Sequence, residues 1–216
     1  MDKSVYLQTD IYAITCEALS AGRNNIEVVR QLLAADVKII QYREKEKTKR
    51  EKYEQCFQIS KMCKKAKALF IVNDDVDLAL AVEADGVHVG QDDLPVEVVR
   101  KLVGKKMLIG VSVSSPAEAE AAAASDADYL GVGPVFGTNT KTDAGEPVGL
   151  DYLALVAARS DRPIVAIGGI NENNILAVRS CGVSCVAMIS ALVSKKDIAG
   201  YVAALREKIS KQQRVL

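Results

Sequence analysis

The chain has 216 residues and carries 28 basic and 28 acidic side chains, so its formal net charge at pH 7 is zero. A balanced surface creates no global attraction for nucleic acid or an anionic membrane, and any attraction for phosphate must therefore be local. No apolar stretch approaches the roughly 20 residues of a membrane span, and the first ten residues lack the apolar core of a signal peptide. We expect one cytoplasmic domain over residues 1–216, without nucleic-acid or membrane partners.

Eight short β-type runs, each followed by a helical pattern, follow one another along the chain. They are Ile11–Thr15, Val37–Tyr42, Ala68–Val72, Gly86–Val89, Leu108–Ser112, Tyr129–Val132, Pro163–Ile167 and Ser184–Met188. Nearly continuous apolar runs are typical of parallel strands buried on both faces. The pattern predicts an α/β fold, namely a single (β/α)₈ TIM barrel, whose loops after the strands form the functional face.

Helix starts and cysteines support this organisation. Thr48 with Glu51 and Ser115 with Glu118 have the spacing of capping boxes, and Asn171 and Asp197 are candidate caps of the last two helices. The five cysteines are dispersed and odd in number, which favours reduced thiols over a disulfide framework. With a single histidine, a zinc site has little support.

The second strand runs into Gln41, Tyr42, Arg43, Glu44 and Lys45. In isolation this run is typical of a solvated charged loop. A polyphosphate clamp is the functional alternative, because the planar fork of an arginine and the compact charge of a lysine both bind phosphate.

The third and fourth strands end in acidic clusters. Asn73, Asp74 and Asp75 follow one, and Asp92 and Asp93 follow the other. Either cluster alone could cap a helix. Two such clusters on adjacent strand ends repel unless a cation lies between them, and magnesium prefers carboxylate and phosphate oxygens. The sequence therefore predicts a site for magnesium and a diphosphate. His88, within the fourth strand, is predicted to be a packed, hydrogen-bonded residue rather than a catalyst.

The remaining strand ends offer hydroxyls and glycines. Ser112 either contacts substrate or caps a loop, and the long segment 131–149 reads either as a mobile surface loop or, better, as a phosphate-binding flap. Gly168 and Gly169 follow the seventh strand, and Ile189 and Ser190 follow the eighth. Glycine there allows a tight turn, but barrels often bind phosphate with these two loops. The sequence thus predicts two phosphorylated ligands over the barrel mouth.

Taken in order, these clusters resemble the motifs of the thiamine phosphate synthase family: QYREK, VNDD, GVHVGQDDLP, GVSVSS, GPVFGTNTK, AIGGI and ISAL. The resemblance covers nearly the whole chain. It implies a transferase of thiamine biosynthesis that joins 4-amino-2-methyl-5-(diphosphooxymethyl)pyrimidine to 4-methyl-5-(2-phosphooxyethyl)thiazole, releases diphosphate and needs only Mg²⁺ as cofactor. One departure is Cys16, where many members have aspartate.

The resemblance also implies roles for particular residues of this chain. The pyrimidine diphosphate would be held by Gln41, Tyr42, Arg43, Glu44, Lys45, Asn73, Ser112 and Lys141. The thiazole phosphate would be held by Thr138, Asn139, Thr140, Gly169, Ile189 and Ser190. Asp74 and Asp93 would bind the metal, and Arg43 and Lys141 would be the catalytic residues.

These groups could support a dissociative alkyl transfer that uses no enzyme nucleophile. Two alternatives stay open. A sugar-phosphate isomerase or aldolase could use Lys141 as a Schiff-base amine. A non-catalytic or thiazole-processing barrel would be expected to lose the acidic clusters, which this chain retains. The sequence leaves the oligomeric state open, and a homo-oligomer is compatible with it.

Overall fold

Eight parallel strands close into a barrel, each paired with its neighbours in chain order and β8 with β1. The structure, a computed structural model, describes residues 7, 9–138, 140 and 145–213. The strands are β1 (Ile11–Ile14), β2 (Ile39–Tyr42), β3 (Leu69–Asn73), β4 (Gly86–Val89), β5 (Leu108–Val113), β6 (Tyr129–Val132), β7 (Ile164–Ile167) and β8 (Cys185–Met188). The predicted barrel is confirmed, and the predicted strand bounds differ from these by two residues at most. That one domain spans all of residues 1–216 stays a prediction.

Helices follow the strands and form the outer layer. They are α1 (Asn25–Ala34), α2 (Lys49–Ala66), α3 (Val76–Ala81), α4 (Val96–Val103), α5 (Pro116–Ala124), α6 (Gly149–Arg159), α7 (Ile175–Ser180), α8 (Ser190–Val193) and α9 (Ile198–Gln213). A short 3₁₀ turn, Glu17–Leu19, precedes α1. None of the helices described here is long and apolar enough to cross a membrane.

Two apolar layers result from the alternation of side chains along each strand. In β1, Tyr12 and Ile14 belong to the cluster inside the barrel, whereas Ile11 and Ala13 belong to the larger cluster between the strands and the helices. The inner cluster fills the barrel with side chains. A large space opens above the carboxyl ends of the strands, which is where a site can form.

Two of the predicted helix caps form as expected. The Thr48 side chain accepts the Glu51 N–H while the Glu51 carboxylate accepts the Thr48 N–H, which completes the capping box of α2. At α9, Asp197 Oδ1 accepts the Gly200 N–H at 2.9 Å. Both contacts satisfy amide groups that the first helical turn leaves open.

The other two caps differ from the prediction. Ser115 caps α5, but the Glu118 carboxylate accepts the N–H of Ser114 instead of closing the box on Ser115. The prediction for Asn171 is wrong, because α7 begins only at Ile175. Asn171 instead closes a turn ahead of that helix, where its backbone carbonyl accepts the Ile175 N–H at 3.0 Å.

All five cysteines are free thiols, as the sequence predicts. Cys56, Cys63 and Cys185 are buried among apolar side chains, and Cys16 and Cys181 are half-buried. Burial raises the pKa of each of these thiols, which disfavours the nucleophilic thiolate.

Candidate active site

A cavity of about 940 Å³ opens at the carboxyl ends of the strands. Loops that follow all eight strands contribute to its wall. This volume is within the usual range for a site that binds small molecules.

Three alternate residues at the end of β2 face this cavity. Gln41, Arg43 and Lys45 line it, as the sequence predicts. The Arg43 backbone N–H donates to Thr15 Oγ1 at 3.0 Å, which ties this strand end to β1. The structure thus brings two cations and one amide to the same wall.

Tyr42 and Glu44 face the opposite way, into the helix layer. The Tyr42 hydroxyl donates to Gln55 Oε1 at 2.9 Å, and Glu44 Oε1 accepts the Asn25 side-chain amide and the Glu17 backbone N–H, both at 2.7 Å. Successive side chains of an extended segment point to opposite faces, so residues 41–45 cannot all reach one ligand. The structure therefore does not bring these two predicted binding residues into the cavity.

Asp74 and Asp93 come from neighbouring strand ends and lie beside each other on the cavity wall. Asp74 has a left-handed backbone, φ +60°, and its N–H donates to the His88 carbonyl at 2.8 Å. Asp74 Oδ2 accepts Lys45 Nζ, and Asp93 Oδ2 accepts the Gly90 N–H. Burial, together with the adjacent Asp93 carboxylate, raises the pKa of Asp74, although Lys45 opposes this.

Asp75 directly follows Asp74 in the chain, but its side chain binds a helix and does not face the cavity. Its carboxylate accepts Lys49 Nζ at 2.6 Å and Lys52 Nζ at 3.0 Å, both from α2. Burial alone would raise the pKa of Asp75, but the two lysines hold it below its usual value. The acidic cluster after β3 therefore divides into one cavity residue and one that anchors a helix.

The loops after β6, β7 and β8 form the other end of the cavity. Thr140 Oγ1 lies 2.9 Å from Ser190 Oγ, and the Thr140 N–H donates to Thr138 Oγ1 at 3.2 Å. Gly169 has φ +63°, and a Cβ there would lie 2.6 Å from the Gly137 carbonyl oxygen. Ile189, also predicted, lines this end with them.

Asn139 and Lys141, two further residues of the predicted flap, lie outside the described residues.

The floor of the cavity holds polar side chains that the sequence analysis missed. Tyr12 and Tyr129 are fully buried, and their hydroxyl oxygens lie 2.9 Å apart. Gln41, His88 and Ser112 extend this contact into a chain of hydrogen bonds. The signal was present, because tyrosines at inward positions of β1 and β6 must find partners for their hydroxyls. The predicted hydrogen bonding of His88 is confirmed, but its imidazole also lines the cavity.

A protein-family model described as thiamine monophosphate synthase matches residues 11–192. The chain belongs to the thiamine monophosphate synthase family. It is therefore an enzyme of thiamine biosynthesis, and the resemblance drawn from its motifs is confirmed.

Named relatives agree with the family assignment. The chain is 54% identical over 207 residues to the thiamine-phosphate synthase of Pelotomaculum thermopropionicum, covering 96% of this chain and 95% of that protein. It is 49% identical to the thiamine-phosphate synthase of Lawsonia intracellularis, covering 94% of each. Among solved structures it is similar to a thiamine phosphate pyrophosphorylase from Pyrococcus furiosus, with a TM-score of 0.87, 37% identity and coverage of 96% of this chain and 98% of that one.

Glu172 and Lys195 also line the cavity of this thiamine monophosphate synthase family member, and neither was predicted. Lys195 Nζ lies 3.6 Å from Glu172 Oε1 and 4.3 Å from the centre of the Tyr201 ring. They stand at the end formed by the loops after β7 and β8. Cys16, a departure from the family pattern, lies outside the cavity wall, and its backbone carbonyl accepts a hydrogen bond from the Ser20 hydroxyl at 2.7 Å.

Proposed function

We propose that the chain joins 4-amino-2-methyl-5-(diphosphooxymethyl)pyrimidine to 4-methyl-5-(2-phosphooxyethyl)thiazole, forming thiamine phosphate and releasing diphosphate. The observation that supports this is one cavity with two chemically different ends. Cations and carboxylates after β2, β3 and β4 suit a diphosphate with its metal, and hydroxyls and glycines after β6, β7 and β8 suit a second phosphate. We expect the enzyme to act in the cytoplasm on these two small molecules.

The residues present fit a magnesium ion held by Asp74 and Asp93. Burial and the adjacent Asp93 carboxylate raise the pKa of Asp74, and a cation between the two carboxylates would relieve their repulsion. In the described part of the chain, no group of three or more His, Cys, Asp or Glu side chains could hold a metal. Magnesium is commonly held by one or two carboxylates, with water and substrate phosphate as its other ligands. When bound here, it would supply positive charge that stabilises the departing diphosphate.

Arg43 and Lys45 would bind the diphosphate from the same wall. Both face the cavity, and Lys45 already contacts the carboxylate of Asp74. Charge that develops on the leaving group is stabilised best by donors that are in place before the reaction. We propose Lys141 as an additional cation from the flap.

The other cavity residues would orient the two reactants. Gln41, Asn73 and Ser112 face the space above the barrel floor, where the pyrimidine would lie. Thr138, Asn139, Thr140, Gly169, Ile189 and Ser190 would hold the thiazole phosphate. Holding both molecules in one cavity replaces a bimolecular encounter by a positioned reaction, which lowers the barrier.

The bond changes need no enzyme nucleophile. The carbon–oxygen bond to diphosphate breaks, its electrons leave with the diphosphate, and the aminopyrimidine delocalises the positive charge on its exocyclic methylene. The thiazole nitrogen then donates its electron pair to that carbon. Intact-mass measurement with the pyrimidine substrate alone should show no adduct, and a covalent enzyme intermediate would contradict this mechanism.

The deciding experiment follows thiamine phosphate and diphosphate release from the two substrates, with and without magnesium. We expect product only with magnesium, and a loss of at least about 100-fold in Asp93→Asn, since metal-site partners contribute on this scale. Asp161→Asn is the matched control, because Asp161 is exposed in the loop before β7. It should keep full activity.

Two results would contradict the proposal. A folded protein that binds the thiazole phosphate but forms no product would favour a non-synthase barrel. Borohydride trapping of a Lys141 adduct with a sugar phosphate, without magnesium, would favour the aldolase or isomerase alternative.

A further inference from the structure

Five polar side chains from five strands form one continuous chain across the barrel floor. Gln41 Nε2 donates to the Tyr12 hydroxyl at 2.8 Å, and that hydroxyl lies 2.9 Å from the Tyr129 hydroxyl. The Tyr129 hydroxyl lies 3.0 Å from His88 Nδ1, and His88 Nε2 lies 3.0 Å from Ser112 Oγ. All five residues line the cavity, and the two ends of this floor chain, Gln41 and Ser112, both reach the ligand space.

The barrel is shaped to hold the middle of the floor chain. A Cβ on Gly110 would lie 2.1 Å from the Tyr129 ring and 2.4 Å from His88 Nδ1. A Cβ on Gly131 would lie 2.9 Å from His88 Cε1. Glycine at these two strand positions therefore makes room for the imidazole and the phenol side by side. Both tyrosines are at most 1% exposed, so each hydroxyl hydrogen needs an acceptor within the protein.

The direction of the hydrogen bonds follows from the first donor. An amide nitrogen can only donate, so the Tyr12 oxygen accepts from Gln41 and its own hydrogen goes to Tyr129. Tyr129 must then donate to His88 Nδ1, which requires an unprotonated Nδ1 and places the imidazole hydrogen on Nε2. The opposite direction would give the Tyr12 oxygen two incoming hydrogens and leave its own hydrogen without an acceptor among these contacts.

We propose that the floor chain fixes His88 as the neutral tautomer with its hydrogen on Nε2, and thereby makes Ser112 a hydrogen-bond donor to the ligand. Ser112 Oγ accepts the Nε2 hydrogen, so its own hydrogen is directed to an acceptor atom of the bound molecule. Tyr129 is a positioning residue in this arrangement, because its hydroxyl contacts Tyr12 and His88 and so reaches Ser112 through the imidazole. Aligned hydrogen bonds of this kind also polarise one another, which strengthens the last donor.

The tautomer can be measured directly, because the chain contains one histidine. Protein labelled with ¹⁵N-histidine and free of any affinity tag gives imidazole signals from His88 alone. We expect a nitrogen shift typical of an unprotonated nitrogen for Nδ1 and of a protonated nitrogen for Nε2. A hydrogen on Nδ1, or on both nitrogens, in the folded wild-type protein overturns the proposal.

Two tyrosine variants make the measurement specific. Tyr129→Phe removes the donor to Nδ1, so we expect the two nitrogen shifts to move towards those of a mixture of tautomers. Tyr152→Phe is the matched control, because the Tyr152 hydroxyl is also buried but has no hydrogen-bond partner among the described residues. The control should leave the imidazole spectrum unchanged. A Tyr129→Phe spectrum identical to that of the wild type overturns the positioning role.

The hydrogen bond from Ser112 to the ligand rests on the proposed function and is tested separately. In Tyr129→Phe we expect binding of the pyrimidine diphosphate to weaken by about tenfold, the scale of one hydrogen bond. Unchanged binding would remove Ser112's role as a donor. The spectrum of the free protein needs no substrate, so it still tests the tautomer if the synthase assay fails.

Discussion

At the amino-terminal ends of the strands, aspartate side chains accept hydrogen bonds from backbone N–H groups. Asp10 Oδ1 accepts the Ile11 N–H at 2.8 Å, Asp85 Oδ2 accepts the Phe70 N–H at 3.0 Å, and Asp128 Oδ2 accepts the Ile109 N–H at 2.7 Å.

Arginines reinforce two of these contacts. Arg206 pairs with Asp10 and Arg100 pairs with Asp128, each with a shortest distance of 2.6 Å. Burial alone would raise the pKa of Asp10, but Arg206 and the backbone N–H groups lower it.

At the carboxyl-terminal ends, Asp74 shows the opposite behaviour. Its pKa is raised by burial and by Asp93, and its backbone has a left-handed conformation, which aspartate tolerates better than most residues but less freely than glycine. The fold therefore uses Asp10 and Asp128 at one barrel end for its own stability and holds Asp74 at the other end at some cost. This contrast predicts that the same substitution has different effects at the two ends.

Asp74→Asn should produce the largest effect on activity, at least about 100-fold, because it removes a charge from the metal pair. Asparagine tolerates the left-handed conformation, so the free energy of unfolding should not fall by more than about 0.5 kcal/mol. Steady-state rates and urea unfolding measure the two quantities. Asp75→Asn, one residue further along, is the control and should lose stability rather than activity. A loss of stability in Asp74→Asn together with a loss of activity in Asp75→Asn would contradict the contrast between the two barrel ends.

Asp128→Ala should produce the largest loss of stability, about 3 kcal/mol, because it leaves the buried Ile109 N–H and the Arg100 guanidinium without this partner. The midpoint of urea unfolding should fall, while the rate per folded molecule stays the same. A drop in turnover at unchanged stability would contradict the assignment of this end to folding.

Asp10→Asn should show an effect that depends on pH. Because the folded pKa of Asp10 is depressed, its stabilisation is present above the unfolded pKa of about 3.9 and is lost as the pH falls through the folded value. We expect a loss of about 1.5 kcal/mol at neutral pH, the scale of a charge-assisted hydrogen bond. The difference from the wild type should shrink in acid. A constant difference across the acid range would show that the charge of Asp10 is not the cause.

Asp77→Asn should have the smallest effect, less than about 0.5 kcal/mol, because Asp77 is 73% exposed where it pairs with Lys49. Neither thermal unfolding nor turnover should change measurably. A clear loss of stability or turnover in this variant would mean that an exposed aspartate matters as much as those at the barrel ends, which would contradict the comparison.

The sequence allowed the barrel, and several residues that line the cavity, to be predicted because both follow from local patterns. Apolar runs such as Gly86–Val89 marked strands, and polar residues at their ends marked the functional face. Tyr42 and Glu44 were grouped with the site because residues 41–45 were treated as one block. Applying the two-residue period of a strand beyond the last apolar residue would have separated them.

Contacts between distant strands were harder to predict. Tyr12 and Tyr129 are 117 positions apart, and each reads as an ordinary strand residue until the barrel closes. Asn171 has the residue type of a cap, but nothing local shows that Asn174 takes the position before α7. These features depend on tertiary neighbours, which one sequence does not identify.

The left-handed backbone of Asp74 also limits which residues a selection experiment could recover at that position. Glycine, asparagine and aspartate accept this conformation readily, whereas β-branched and bulky side chains do not. Among the three, only aspartate carries a charge. In a saturated library at position 74, a screen for folded protein should therefore return all three residues, and a screen for turnover should return aspartate alone.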